Sequence, residues 1–164
     1  MSKEFKKISV FGPELTNPVI AAVSGGPDSM AILDTLRRRK KLAAAAIFDH
    51  DTGLHNTAFK VVEEYCKKYS IILEIGKIQN KKFKGDSMES FWRKERYRYL
   101  FSVAEKYDTP EFKMSICTGH NLDDLVETWI FTSMNGGSRL IPLVNGRVIR
   151  PFMHNYKKDM LSVS

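Results

Sequence analysis

Short apolar runs alternate with longer stretches of helical spacing along the chain, which predicts a parallel sheet covered by helices on both faces. Val19-Ile20-Ala21-Ala22-Val23, bounded by Pro18 and Gly25, has the length and composition of a buried first strand. Over residues 29–40 Met30, Leu33 and Leu36 recur on one side of a helix. Residues 43–48 carry four alanines, which favour helix, but their short length and their place between two helical stretches predict strand two. Residues 57–69 repeat Val61, Val62 and Tyr65 at helical intervals, and the apolar run 71–75 predicts strand three.

A polar, lysine-rich loop is expected over 79–86, then a long amphipathic helix over 88–107, stopped by Asp108-Thr109-Pro110. Residues 114–118 predict a further strand, and 121–134 a helix closed by Asn135-Gly136-Gly137. Beyond it the pattern weakens to a turn at Asn145-Gly146 flanked by short extended pieces, with the start of a helix over 155–161. The first fifteen residues fit strand or helix equally well.

At 164 residues the chain is expected to form one domain, spanning 1–164. That size removes about two-thirds of the unfolded surface from water, so neither disulfide nor structural metal is required. Cys66 and Cys117 lie far apart without a CxxC pair or a His/Cys cluster, which excludes a zinc ribbon and predicts reduced thiols in a cytoplasmic protein. The start lacks the apolar run of a signal peptide, and no stretch approaches the ~20 apolar residues of a membrane helix. The net charge of +7 gathers in three runs, at residues 37–41, 81–84 and 93–98. One such run is ordinarily a solvated helix face, whereas three favour a polyanionic partner.

The chemistry is expected where strand one ends, because ligands of open α/β sheets bind at the carboxyl ends of the strands. Ser24-Gly25-Gly26-Pro27-Asp28-Ser29 stands there. Adjacent glycines let backbone N–H groups approach an anion, the serines add hydroxyls, and the following helix points its positive end inward. Neither a Walker A loop nor a GxGxxG fingerprint is present. Asp28 would repel phosphate unless a divalent cation bridges them, which implies Mg²⁺ together with a nucleotide.

Placed between strand and helix, SGGxDS resembles the PP-loop, or N-type ATP pyrophosphatase, superfamily. The block Thr118-Gly-His-Asn-Leu-Asp-Asp-Leu-Val-Glu-Thr128, the Arg-rich stretch 90–100 and Arg150-Pro151-Phe152 narrow the resemblance to the tRNA(Ile)-lysidine synthetase family, over about residues 19 to 161. It implies a Rossmann-like, adenine nucleotide alpha hydrolase-like fold. It also implies ATP and Mg²⁺ as cofactors, tRNA as partner, and lysine or another amine as nucleophile. A cytidine carbonyl oxygen would attack the α-phosphate, and the amine would then displace AMP. Within it Ala22, Ser24, Gly25, Gly26, Pro27, Asp28, Ser29 and His50 would hold ATP, with Asp28 on the metal. His120 and Asp124 would line the ATP and base pocket, Glu127 would receive the lysine ammonium or Mg²⁺, and Arg96, with Arg93 second, would meet the α-phosphate or substrate.

The sequence departs from that family at several points. Asn121 replaces a histidine of the His-His-Leu-Asp-Asp block, and His55 stands where arginine follows Gly-Leu. The tRNA-reading domains that follow the catalytic domain in the family are not within these 164 residues; a homodimer or a partner subunit that supplies that surface would fit the small size. Three rivals share SGGxDS: a tRNA thiolase, for which Cys117 is the cysteine near the presumed site; an amide-forming synthetase; and a shortened, non-catalytic nucleotide-binding module.

Overall fold

The structure, a computed structural model, describes residues 15–49, 57–78, 88–119, 126, 130, 133–134, 136–137, 141–142, 144–152 and 155. Its elements run β1 (Val19–Val23), α1 (Pro27–Arg38), β2 (Leu42–Asp49), α2 (Thr57–Lys68), β3 (Leu73–Lys77), α3 (Met88–Lys106), β4 (Ser115–Cys117), β5 (Val144–Asn145) and β6 (Val148–Ile149). They form one six-stranded sheet in the order β3-β2-β1-β4-β6-β5, parallel except for β5, which runs antiparallel to β6. The chain moves outward from β1 through β2 to β3, then crosses to the other side of β1 for β4, so strand order reverses between β1 and β4.

The expected helix-covered parallel sheet is therefore present. Alternation along β1 divides the core: Val19, Ala21 and Val23 pack with Ile32, Leu33 and Leu36 of α1 and Val62 of α2, while Ile20 packs with Leu100, Val103 and Ala104 of α3. The alanines of β2 follow from the same arrangement. Ala44 and Ala46 face α3 and Ala45 faces α1 and α2, all three buried, so a central strand between two helical layers overrides the helix propensity of alanine.

Boundaries differ from expectation where turn chemistry intervenes. α1 begins two residues early because Pro27 suits the first helical turn. β3 occupies 73–77 rather than 71–75, because Ile71 completes the α2 C-terminal turn: its N–H donates to the Cys66 carbonyl at 2.9 Å and Ser70 adopts φ +54°. The hairpin turns on Gly146 and Arg147, one position later than read, with Gly146 at φ +58° and Asn145 still paired to Val148. The expectations for the first fifteen residues, the 79–86 loop and the 155–161 helix lie outside the described residues, Leu15 and Asn155 apart. Of the 121–134 helix, Val126, Ile130, Ser133 and Met134 are described and helical.

Candidate functional site

Residues 24–29 leave β1 at the carboxyl edge of the sheet, beside the reversal of strand order. Gly25 sits at φ +81°, and a Cβ there would fall 2.4 Å from the Ala58 carbonyl oxygen, so α2 closes against the loop only because this residue is glycine. Gly26 differs. It is the N-cap of α1 at φ −72°, and an added Cβ would meet only the Ser24 hydroxyl, at 3.5 Å. Among the described residues nothing else lies within 4 Å of that position, so the space beside Gly26 is open to a ligand.

The loop is held by its serines. The Ser24 N–H donates to Ser29 Oγ at 3.2 Å, and the Ser29 hydroxyl donates to the Gly26 carbonyl at 2.9 Å. Ser29 is buried, whereas Ser24 is exposed, its hydroxyl 3.3 Å from Ser29 Oγ. No side chain caps the N-terminus of α1, so its positive end and its first N–H groups face the loop. Asp28 lies in that first turn, half-buried, with Oδ1 fully covered. Its carboxylate and the Ser24 hydroxyl are hard oxygen donors that fit Mg²⁺. Among the described residues there is no group of three or more His, Cys, Asp or Glu that could hold a metal alone, so phosphate oxygens would complete the coordination.

β4 delivers the second block to the same place. A Cβ on Gly119 would meet Ile32 of α1 at 3.2 Å and Ser29 Cα at 3.9 Å, so the chain leaving β4 touches the first turns of α1. Thr118 is buried beside it, its N–H donating to the Ile149 carbonyl at 3.1 Å. His120, Asp124 and Glu127 lie outside the described residues, as does His50, which follows Asp49 at the end of β2.

Arg93 and Arg96 approach the same edge from the opposite face. Tyr99 stacks on Phe48 near the end of β2, centroids 5.6 Å apart, while Lys106 bonds Glu74 near the start of β3 at 2.8 Å. α3 thus runs antiparallel to the strands, and its earlier turns extend toward their carboxyl ends. Both guanidiniums lie over the Tyr97 ring, Arg93 at 5.4 Å and Arg96 at 5.6 Å, with Arg93 exposed and Arg96 half-buried. Ala22 is half-buried against the α3 side of the core.

Sequence reading missed the contribution of α2, whose Ala58 forms the wall behind Gly25. It also missed Arg150, buried at the carboxyl end of β6 with Nη1 donating to the Pro142 carbonyl at 2.8 Å, which ties the segment before the hairpin to the sheet. The Arg-Pro pair was visible; its burial was not. Cys117 is wholly buried in β4, and burial pushes its thiol well above the ordinary range, as it pushes Cys66 up to about 11.

A glycine-walled loop capping a helix at the switch point of a doubly covered parallel sheet defines a nucleotide-binding α/β domain. The chain belongs to the PP-loop domain family, which it matches across residues 1–164. Its relatives include the tRNA(Ile)-lysidine synthase of Mycoplasmopsis pulmonis (strain UAB CTIP), 31% identical over 149 residues covering 87% of this chain and 50% of that protein. The tRNA(Ile)-lysidine synthase of Bacillus subtilis (strain 168) is 30% identical over 159 residues, covering 87% of this chain and 33% of its own. The chain thus spans half the length or less of these relatives. Among solved structures, the U34-tRNA thiolase NcsA from Methanococcus maripaludis, determined with its 4Fe-4S cluster, superposes with a TM-score of 0.67 over 94% of this chain and 58% of that one, at 17% identity. At that identity the likeness is one of fold. Among the described residues no helix is long and apolar enough to cross a membrane.

Proposed function

We propose that this chain is a single PP-loop catalytic domain that activates a tRNA base with ATP and couples it to an amine, in the manner of lysidine synthesis. The observation that carries this reading is the loop at residues 24–29, with a glycine demanded by α2 and a second glycine that none of the described residues demands. The lysidine synthase relatives supply the substrate class.

In this reading the loop N–H groups and the uncapped α1 terminus hold the triphosphate, with Ser24 at its rim and Ser29 keeping the loop in shape. Asp28 would hold Mg²⁺, and the ion would lower the charge of the phosphates and their repulsion of an incoming oxygen. The carbonyl oxygen of a cytidine attacks the α-phosphorus and pyrophosphate leaves. A lysine nitrogen then attacks the activated ring carbon, and the bond to the AMP oxygen breaks. Arg96, supported by Arg93, stabilises the charge that builds on the α-phosphate. His120 and Asp124 line the pocket, His50 borders the adenosine, and Glu127 takes the lysine ammonium.

Thiolation through a cysteine near the site would require a thiolate, and the burial that raises the Cys117 thiol opposes one. Replacement of Cys117 by alanine should therefore leave turnover within a few-fold of the parent.

The decisive assay is release of pyrophosphate and AMP on addition of tRNA, lysine and Mg²⁺. Asp28→Asn and Arg96→Ala should each lower it by about two orders of magnitude, the scale for removing one charge-stabilising group. Parental rates in both variants would refute the site assignment, and ATP binding without turnover under any tRNA and amine would make the chain a binding module.

A further inference from the structure

α3 carries aromatic side chains on two flanks, and only one flank serves the core. Leu100, Val103 and Ala104 are buried against the sheet, and Tyr99 lies over Gly76 of β3 and Phe48 of β2, which fixes the flank turned toward those strands. At about 100° per residue, Tyr97 and Phe101 each fall within roughly 20° of the direction opposite Tyr99. They therefore stand on the flank turned toward β4. Their rings are stacked one turn apart, centroids 6.2 Å and tilted by 36°. Tyr97 is half-buried against the core, whereas Phe101 remains 37% exposed.

This step of rings lies at the carboxyl edge of the sheet. Phe48 and Gly76, which Tyr99 meets, are the residues before the last of β2 and β3, and at 1.5 Å per residue Tyr97 and Phe101 lie about 3 Å either side of that level. The chain leaving β4 through Thr118 and Gly119 reaches the loop on the same flank of α3. Arg93 and Arg96, whose guanidiniums lie over the Tyr97 ring, supply charge at the end of the step. Among the described residues neither of them meets a carboxylate, while Arg98 is held by buried Glu95 at 3.3 Å.

We propose that Tyr97 and Phe101 form a stacking platform for an unpaired tRNA base next to the target base. The proposal rests on the tRNA reading above and adds where a neighbouring nucleotide is held. An exposed phenylalanine alone is ordinary. Stacked on a tyrosine beneath two arginines, at the edge where the site opens, it has the composition that binds single-stranded RNA: aromatic faces take the bases and guanidiniums take the backbone. An apolar peptide would cover the rings and leave the arginines unmatched, so the charge selects the polyanion. Phe101 is the residue whose exposed ring has no part in the core, and it meets the neighbouring base rather than the reacting one.

The test is tRNA binding by the full chain over a salt titration, comparing the parent with Phe101→Leu, which keeps apolar bulk without a π face, and Phe101→Tyr, which restores the face. The leucine variant should bind about fivefold to tenfold more weakly, the scale of one lost base stack. The tyrosine variant should bind like the parent. Because no cation is removed, the slope of log affinity against log salt should stay parental in both. Affinity for ATP without RNA, and for a fully paired RNA duplex whose bases are already stacked, should also stay parental. Parental tRNA affinity in Phe101→Leu would overturn the platform and leave the tRNA reading standing. Equal losses in the two variants, or a loss shared by ATP or duplex binding, would make Phe101 a packing residue and overturn the proposal. A parent that binds no tRNA would overturn both.

Discussion

Of two adjacent glycines, one is required by the fold and the other, in the function proposed, by a ligand. Gly25 is fixed twice over, by φ +81° and by an Ala58 carbonyl oxygen 2.4 Å from where a Cβ would stand. Gly25→Ala should therefore lower stability by about 2 kcal/mol or more, combining left-handed strain with a clash against backbone. Gly26→Ala should leave the denaturation midpoint nearly unchanged, within about 0.5 kcal/mol, yet weaken ATP binding at least tenfold. Equal loss of stability in the two variants, measured by urea unfolding, would contradict this division. The pair itself was legible in the sequence, because adjacent glycines after an apolar strand announce a tight loop. Which glycine serves the fold was not, since Ala58 is 33 positions away and reaches Gly25 only once α2 is packed.

At the level of elements, long periodic stretches were legible and their junctions were not. α2 and α3 begin where the pattern places them and end within one residue of it. β3 slid by two because Ile71 completes a helix end and Ile72 only leads into the strand, and an apolar run does not distinguish those uses. Within β3, Gly76 makes room for Tyr99, whose ring would lie 2.6 Å from an added Cβ. Gly76→Ala should cost about 1–3 kcal/mol by pushing α3 off the sheet, and denaturation with unchanged stability would exclude that packing role. The candidate site was legible as two sequence blocks, and the structure brings the loop and Gly119 together because β1 and β4 are neighbours. Nothing in local sequence encodes that pairing.

Across the whole molecule, three carboxylates tie elements together and share one pH dependence. Arg147, the Met114 N–H and Lys113 hold the Asp108 carboxyl well below the usual range and bind the hairpin to the end of α3. Lys106 and Tyr107 lower Glu74 and bind α3 to β3. Burial opposes ionisation of Asp34, but hydrogen bonds from Tyr65 and Arg37 outweigh it and join α1 to α2. In each case the folded state binds its proton less readily than the unfolded chain. The stabilisation is therefore complete above the unfolded carboxylate range, at about pH 4–4.5, and disappears as pH falls through the lower folded values. Thermal unfolding followed from pH 7 to pH 2 should show a flat region and then a decline beginning near pH 4.5; a melting temperature independent of pH below 4 would contradict the three ties.

The most direct test of the central claim is a crystal structure of the chain with Mg²⁺ and a non-hydrolysable ATP analogue. The account predicts the triphosphate against residues 24–29 at the N-terminus of α1, with the metal on Asp28 and the α-phosphorus open toward Gly119. A triphosphate bound elsewhere, or a loop left empty at saturating nucleotide, would contradict it.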